Sequence, residues 1–254
     1  MFSVIKYQSY IICTSPRSGS TLLCKLLAAT GKTGNPNSHF HVPEIASWVR
    51  DYGVCAESYE SEQYLLRAIF AGAKKRGIGQ SDMFGLRMQR GSFLYFVAKM
   101  KILYPGLSSD LKRIEAAFGN TLFIYLTREN KIDQAVSFVK AEQTGLWHLA
   151  PDGTELERLS DPQTASYDEN EIKRRFDEFS SFDQEWKSWF VNEGIEPLRI
   201  TYDELSADPK SVLSEVLDKL NVNQRMAEEI EIPVAKLADG INRDWIERFL
   251  GRGK

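Results

Sequence analysis

Cysteine is scarce in this chain: three among 254 residues, Cys13, Cys24 and Cys55. An odd number without paired or metal-like spacing excludes a disulfide-stapled secreted domain and fits a reducing cytoplasm. Histidine is equally rare, and no His, Cys and carboxylate cluster stands at ligand spacing, so no metal is expected. No apolar run approaches the roughly 18 residues of a membrane span. The first residues carry no apolar core with a cleavage site, so no signal peptide is expected and the location reads as cytoplasmic. A cationic excess is also missing. The formal net charge is −3 with 26% charged residues, which argues against a nucleic-acid partner. No internal repeat or low-complexity tract is visible. At this length the chain is expected to be a single α/β domain, residues 1–254.

What the chain does have is an organising stretch over residues 10–23. An apolar β-type run, Tyr10-Ile11-Ile12-Cys13, leads into Ser15-Pro16-Arg17-Ser18-Gly19-Ser20-Thr21. Leu22, Leu23, Leu26 and Leu27 then recur at helical spacing. Strand, tight turn and helix N-terminus make an anion site, because the first-turn N–H groups are free and the helix dipole is positive there. Gly19 lets the backbone approach closely. Ser18, Ser20 and Thr21 offer hydroxyls, and Arg17 adds a charged fork. The loop has one glycine and no lysine, unlike the nucleotide-triphosphatase P-loop, which ends in Gly-Lys-Ser/Thr. A single terminal phosphate fits it better than a β,γ-phosphate chain.

A second turn of the same kind follows the continuous apolar run over 121–127, where Arg128-Glu129-Asn130-Lys131 leads into a helix. Two such turns on adjacent parallel strands open on one edge of the sheet. Between them lies a Gly- and Pro-containing loop over 30–44, which carries His39 and His41. In an extended segment the two imidazoles face one side. They are either solvated or turned toward a substrate. The apolar stripe over 57–76 predicts a helix whose Lys74-Lys75-Arg76 end complements the dipole. Residues 84–89 read as a buried strand containing Arg87, either in a structural ion pair or in a site. Helices are expected over 93–103 and 107–118, and a long polar loop over 148–167. The aromatic stripe from Phe176 to Phe190 predicts a core-packing helix over 167–193. A short strand over 198–201 precedes a helix begun by Pro209. Trp147 is either core or a wall of a pocket.

Ser15-Pro16-Arg17-Ser18-Gly19-Ser20-Thr21-Leu22-Leu23 resembles the 5′-phosphosulfate loop of sulfotransferases that use 3′-phosphoadenosine 5′-phosphosulfate (PAPS). Leu126-Thr127-Arg128 with Ser137, the segment Ala141 to Trp147, and Tyr202-Asp203-Glu204-Leu205 with Asp208-Pro209 follow in the same order. Together they resemble the bacterial trehalose 2-sulfotransferase-like family, which is related to the nodulation sulfotransferases. The resemblance implies a P-loop-like three-layer fold, with a central parallel sheet flanked by helices. It implies PAPS as co-substrate, a carbohydrate or glycolipid-type acceptor, and a homodimer. Pro16, Arg17, Ser18, Gly19, Ser20 and Thr21 would hold the 5′-phosphate, Arg128 and Ser137 the 3′-phosphate, and Tyr202 the adenine. Arg243, in Gly240-Ile241-Asn242-Arg243, would reach the 3′-phosphate.

For catalysis the resemblance implies Arg17 at the leaving group and Arg87 at the transferring group. Asn35, in Gly34-Asn35-Pro36, stands where the family has a glutamate base, and an amide cannot take a proton. His39 or His41 would substitute, since imidazole titrates in the working range. Gln89 stands where related animal enzymes have a histidine. A PAPS-binding homologue without turnover therefore stays open. A small-molecule kinase is a further alternative, disfavoured by the loop's lack of Gly-Lys-Ser/Thr.

Overall fold

The computed structural model describes residues 7–235, 237 and 239–252. The chain begins with β1 (Ser9–Thr14) and α1 (Ser20–Ala29), passes through α2 (Ile45–Tyr52) and α3 (Glu62–Ile78) to β2 (Phe84–Gln89), and continues by α4 (Arg90–Leu103) and α5 (Asp110–Phe118) to β3 (Thr121–Thr127). Next come α6 (Lys131–Thr144), a hairpin of β4 (Leu146–Leu149) and β5 (Glu155–Arg158), the long α7 (Glu169–Glu193), and β6 (Leu198–Thr201). Beyond β6 the described chain holds α8 (Tyr202–Ala207), α9 (Pro209–Lys219), α10 (Met226–Glu229) and α11 (Gly240–Phe249).

The sheet runs β2-β1-β3-β6, with every pairing parallel. Its inner strand β1 is buried along its whole length, as an unbroken apolar run requires. Side chains alternate across the sheet. Ile11 and Cys13 enter an aromatic-rich layer with Trp48, Phe70, Phe96 and Trp186, drawn from α2, α3, α4 and α7. Tyr10 and Ile12 enter the opposite layer with Leu23 and Leu26 of α1 and Leu213 and Val216 of α9. The expected three-layer α/β architecture follows from that alternation. A smaller cluster joins Val136 of α6, Ile172 of α7 and Trp245 of α11.

The aromatic stripe of α7 packs as its spacing predicts: Phe179, Trp186, Trp189 and Phe190 are buried. Trp186 Nε1 also donates to Thr14 O at 3.0 Å, tying α7 to the end of β1. Asp168 caps α7 at its first turn, and Asn130 caps α6 in the same way. Pro209 occupies the first turn of α9 behind the Asp208 cap.

Several expectations differ from the fold. The helix expected over 57–76 runs from Glu62 to Ile78, begun by the Ser61 cap, and the one expected over 93–103 starts already at Arg90. The helix expected over 107–118 starts only at Asp110, because the Ser109 hydroxyl accepts from Lys112 N–H and sets its first turn. The stretch 148–167 is not all loop. It contains the end of β4 and the whole of β5, paired antiparallel. Among the described residues no helix is long and apolar enough to cross a membrane.

Candidate active site

Strands β1 and β3 pair in parallel, so the turns leaving their C-terminal ends open on the same edge of the sheet. The turn of residues 15–21 is braced from beneath. Thr14 Oγ1 donates to Leu126 O at 2.8 Å, and the Ser18 hydroxyl donates to Ser15 O at 2.8 Å. From α6, Gln134 Nε2 donates to Ser15 Oγ at 2.9 Å and to Pro16 O at 2.6 Å. Two residues of this turn have left-handed backbone: Arg17 at φ 62 and Gly19 at φ 86. The conformation is costly for Arg17, and such strain persists only where surrounding bonds enforce it. Gly19 is the N-cap of α1, which has neither a side-chain cap nor an acidic residue in its first turn. The positive end of that helix is left for an anion.

A cleft of about 850 Å³ lies over this turn. Arg17, Ser20, Thr21, Arg87, Arg128 and Tyr202 line it, as do Pro16, Gly19, His41 and Ser137. The half-buried Arg17 donates from Nε to Ser137 Oγ at 3.0 Å and from Nη1 to Trp147 O at 2.6 Å. Burial, then the nearby Arg128 charge, lowers Arg17 to about 10, so it stays charged at neutral pH. Arg87 donates from Nε to Ser38 Oγ and from Nη1 to Thr21 Oγ1, both at 2.8 Å. Among the described residues neither guanidinium has a carboxylate at ion-pair distance; their partners are neutral oxygens. Half-buried cations with only neutral partners suit an anionic ligand.

Arg128 stacks over the Tyr202 ring, 4.3 Å from its centroid, and donates from Nη1 to Arg17 O at 3.5 Å. Asp133 lies 3.4 Å from its Nη2. The other cation of this turn, Lys131, is turned away from the cleft to Asp183 of α7 at 2.6 Å. Tyr202 packs on Gly19: a Cβ added there would stand 3.1 Å from Tyr202 Cδ2 and 3.2 Å from Leu205 Cδ2. The β1 turn, the β3 turn and the start of α8 thus meet in one place.

Three predicted site residues are placed differently. Ser18 is fully buried, and its hydroxyl serves the loop itself. His39 is buried on the far side of its loop, stacked on Phe84, with Nε2 at 3.1 Å from Asn35 O. Burial, assisted by Arg76 and Arg87, lowers it to about 4. Arg243 is exposed on α11, where its neighbour Asn242 lines the cleft instead. His41 stays at the cleft rim, lowered by burial and by Arg87.

The hairpin brings Trp147, read from the sequence as core or pocket wall, to the cleft, and adds His148 and Glu157, which the sequence reading missed. Trp147 lines the cleft with Arg17 at 5.9 Å over its ring, and His148 and Glu157 line it beside Thr21. The available signal was Leu146-Trp147-His148-Leu149 between Gly145 and the Gly153 turn, with polar residues on the return strand.

Residues 9–251 match the model of the Stf0 sulphotransferase family. The chain is 26% identical to trehalose 2-sulfotransferase of Mycolicibacterium smegmatis, over 95% of this chain and 94% of that protein. It is also 26% identical to trehalose 2-sulfotransferase of Mycobacterium tuberculosis, over 94% of this chain and 93% of that protein. In structure it aligns with the sulfotransferase domain from the Synechococcus PCC 7002 olefin synthase at 15% identity and a TM-score of 0.45, over 98% of both chains.

Proposed function

The chain belongs to the Stf0 sulphotransferase family, and from that premise we propose that it moves a sulfuryl group from PAPS to a hydroxyl of a carbohydrate or glycolipid-type acceptor. The observation that carries this reading is the meeting of Arg17 and Arg128 in one cleft, at the ends of adjacent parallel strands. Adenosine 3′,5′-bisphosphate, the nucleotide left after transfer, has an anionic group at each end of a ribose. Two cationic turns on one sheet edge offer a partner for each.

In this reading the first-turn N–H groups of α1, with Ser20, Thr21 and Arg17, hold the 5′-phosphate. Arg128 and Ser137 hold the 3′-phosphate, and Tyr202 gives a flat wall for the purine. The residues fit the nucleotide: α1 has no side-chain cap, Arg17 and Arg87 have only neutral oxygens as hydrogen-bond partners among the described residues, and the cleft is large enough for a small-molecule ligand. PAPS supplies the activated sulfuryl group. The protein supplies position and positive potential. By analogy with phosphoryl transfer, charge spreads over the equatorial oxygens, and Arg87 stands where it can offset that charge.

A sugar acceptor is proposed because both curated relatives are named for trehalose. Asn35 cannot serve as a base here, since its side chain is an amide on an exposed residue. The test is incubation with PAPS and a panel of mono-, di- and glycolipid saccharides, read by mass spectrometry. The expected result is a sulfated saccharide with matching release of adenosine 3′,5′-bisphosphate. Intact PAPS with every acceptor, or phosphate transfer from ATP instead, contradicts the reading.

A further inference from the structure

His148 lies on β4, directly across from Glu157 of β5. The register shifts on both sides of His148, an irregularity of the kind that re-aims side chains. The hairpin is anchored to the β1 turn by Arg17, which donates to the neighbouring Trp147 carbonyl. His148 Nε2 is 3.0 Å from Thr21 Oγ1 and 3.4 Å from Glu157 Oε2. Arg87 Nη1 donates to the same Thr21 oxygen at 2.8 Å.

Thr21, already accepting from Arg87, keeps its own proton to give, and in the Nδ1–H tautomer of His148 it donates to Nε2. In that tautomer the ring is neutral, with a bare nitrogen beside the turn of residues 15–21. Glu157 has nothing to bond with a bare Nε2, because neither atom carries a proton. With a protonated Nε2 it forms a charge-assisted bond. The pair is therefore built to receive a proton. His41 shares the cleft and also feels the Glu157 charge, but among the described residues Glu157 reaches ion-pair distance of His148 and not of His41. His39 is turned away, onto Asn35 O.

From this geometry we infer that His148 is the general base of the transfer, and that Glu157 is the positioning residue that stabilises the imidazolium. The inference rests on the sulfuryl-transfer reading above. As the acceptor oxygen bonds to sulfur, its proton passes to His148 Nε2. The S–O bond to the 5′-phosphate breaks, and its electron pair stays on the phosphate oxygen. His148 then returns the proton to solvent. For Nε2 to meet the acceptor, Thr21 must turn its hydroxyl to the nucleotide phosphate, which the first turn of α1 places beside it.

The groups facing the ring are Arg17 from the β1 turn, Lys25 from α1, Arg87 from β2, Thr21 and Glu157. Burial first, then Arg17, Arg87 and Lys25, lowers His148 to about 3. A phosphate bound to Arg17 offsets one of those charges, so nucleotide binding raises the His148 titration toward neutrality. The chain has only three histidines, so isotope-labelled imidazole signals are few, and His148→Asn identifies one by its loss.

The experiment titrates these signals with and without adenosine 3′,5′-bisphosphate, and measures turnover and bisphosphate affinity in H148N and E157Q. We expect the bisphosphate to raise the His148 midpoint by about one pH unit or more, and E157Q to diminish that rise. H148N lowers kcat by about 100-fold or more, with bisphosphate affinity kept within about threefold. E157Q, at an exposed position that folding tolerates, lowers kcat by about tenfold and moves its pH profile. A His148 midpoint that ignores the bisphosphate, or turnover by H148N near the wild-type rate, overturns the inference while leaving the sulfuryl-transfer reading intact. Failure of the wild-type protein to bind the bisphosphate removes both.

Discussion

The Nε–H of Arg17 donates to the hydroxyl of Ser137 at 3.0 Å, linking the turn after β1 to the helix after β3. Both turns are therefore set relative to each other by a bond within the cleft, before any ligand is considered. Ser137→Ala removes that bond and one hydroxyl donor. We expect bisphosphate affinity to fall by about 2- to 10-fold, the size of one neutral hydrogen bond. Calorimetry on the variant checks this; unchanged affinity would show that Arg17 is positioned without Ser137.

Arg87 makes two bonds in different directions, from Nε to Ser38 and from Nη1 to Thr21. A lysine has one point charge and cannot hold both hydroxyls with that planar geometry. Arg87→Ala is expected to lower kcat by about 100-fold, and Arg87→Lys to recover little of it, with a smaller effect on nucleotide affinity. Full recovery by lysine would show that only its charge matters.

Gly19→Ala tests the cradle. Its φ of 86 is a conformation that side-chain-bearing residues rarely adopt, and the new Cβ would stand 3.1 Å from Tyr202. The backbone term alone destabilises by about 1–2 kcal/mol, and Tyr202 must shift from its place under Arg128. Thermal unfolding and bisphosphate titration should both weaken. An unchanged Tm with unchanged affinity would contradict the packing described.

His39 gives the pH dependence of stability a direction. Its ordinary value of 6.5 is lowered to about 4, chiefly by burial. Between those values the unfolded chain takes up a proton that the folded one refuses, so stability falls as pH drops from about 6.5 toward 4. The loss from this residue is up to roughly 3 kcal/mol. His148, lowered to about 3, acts in the same direction. Denaturant unfolding at pH 7 and pH 5 should show the decline; equal stability at both would contradict it.

Strands β1 and β3 were legible because their apolar runs are continuous and end in turn residues, Tyr10 to Cys13 and Leu122 to Leu126; β2 and β6, each interrupted by an arginine, were legible from shorter apolar stretches. The strand-turn-helix unit of residues 9–29 was legible because strand, small residues and helix follow within one short stretch. The β4–β5 hairpin was not. Glu155-Leu156-Glu157-Arg158 is mostly exposed and shows no apolar face, so nothing in its pattern separates it from a polar loop. His148 gained its meaning only from the strand across from it. His39 and His41, two residues apart, read as facing one side. The chain between them instead turns, and Phe40 fills the aromatic layer while His39 is drawn onto Asn35 O. Long-range packing, absent from local periodicity, decided both cases.

The account depends on one nucleotide touching both Arg17 and Arg128. The most direct measurement is calorimetric titration of adenosine 3′,5′-bisphosphate, against ATP with magnesium, into the wild-type protein and the Arg17→Ala and Arg128→Ala variants. The account predicts tighter binding of the bisphosphate than of ATP, and a loss of about 10- to 150-fold in each variant, the size of one charge-assisted contact. Tighter, magnesium-dependent ATP binding, or an Arg128→Ala protein that folds and binds the bisphosphate as the wild type does, would contradict it.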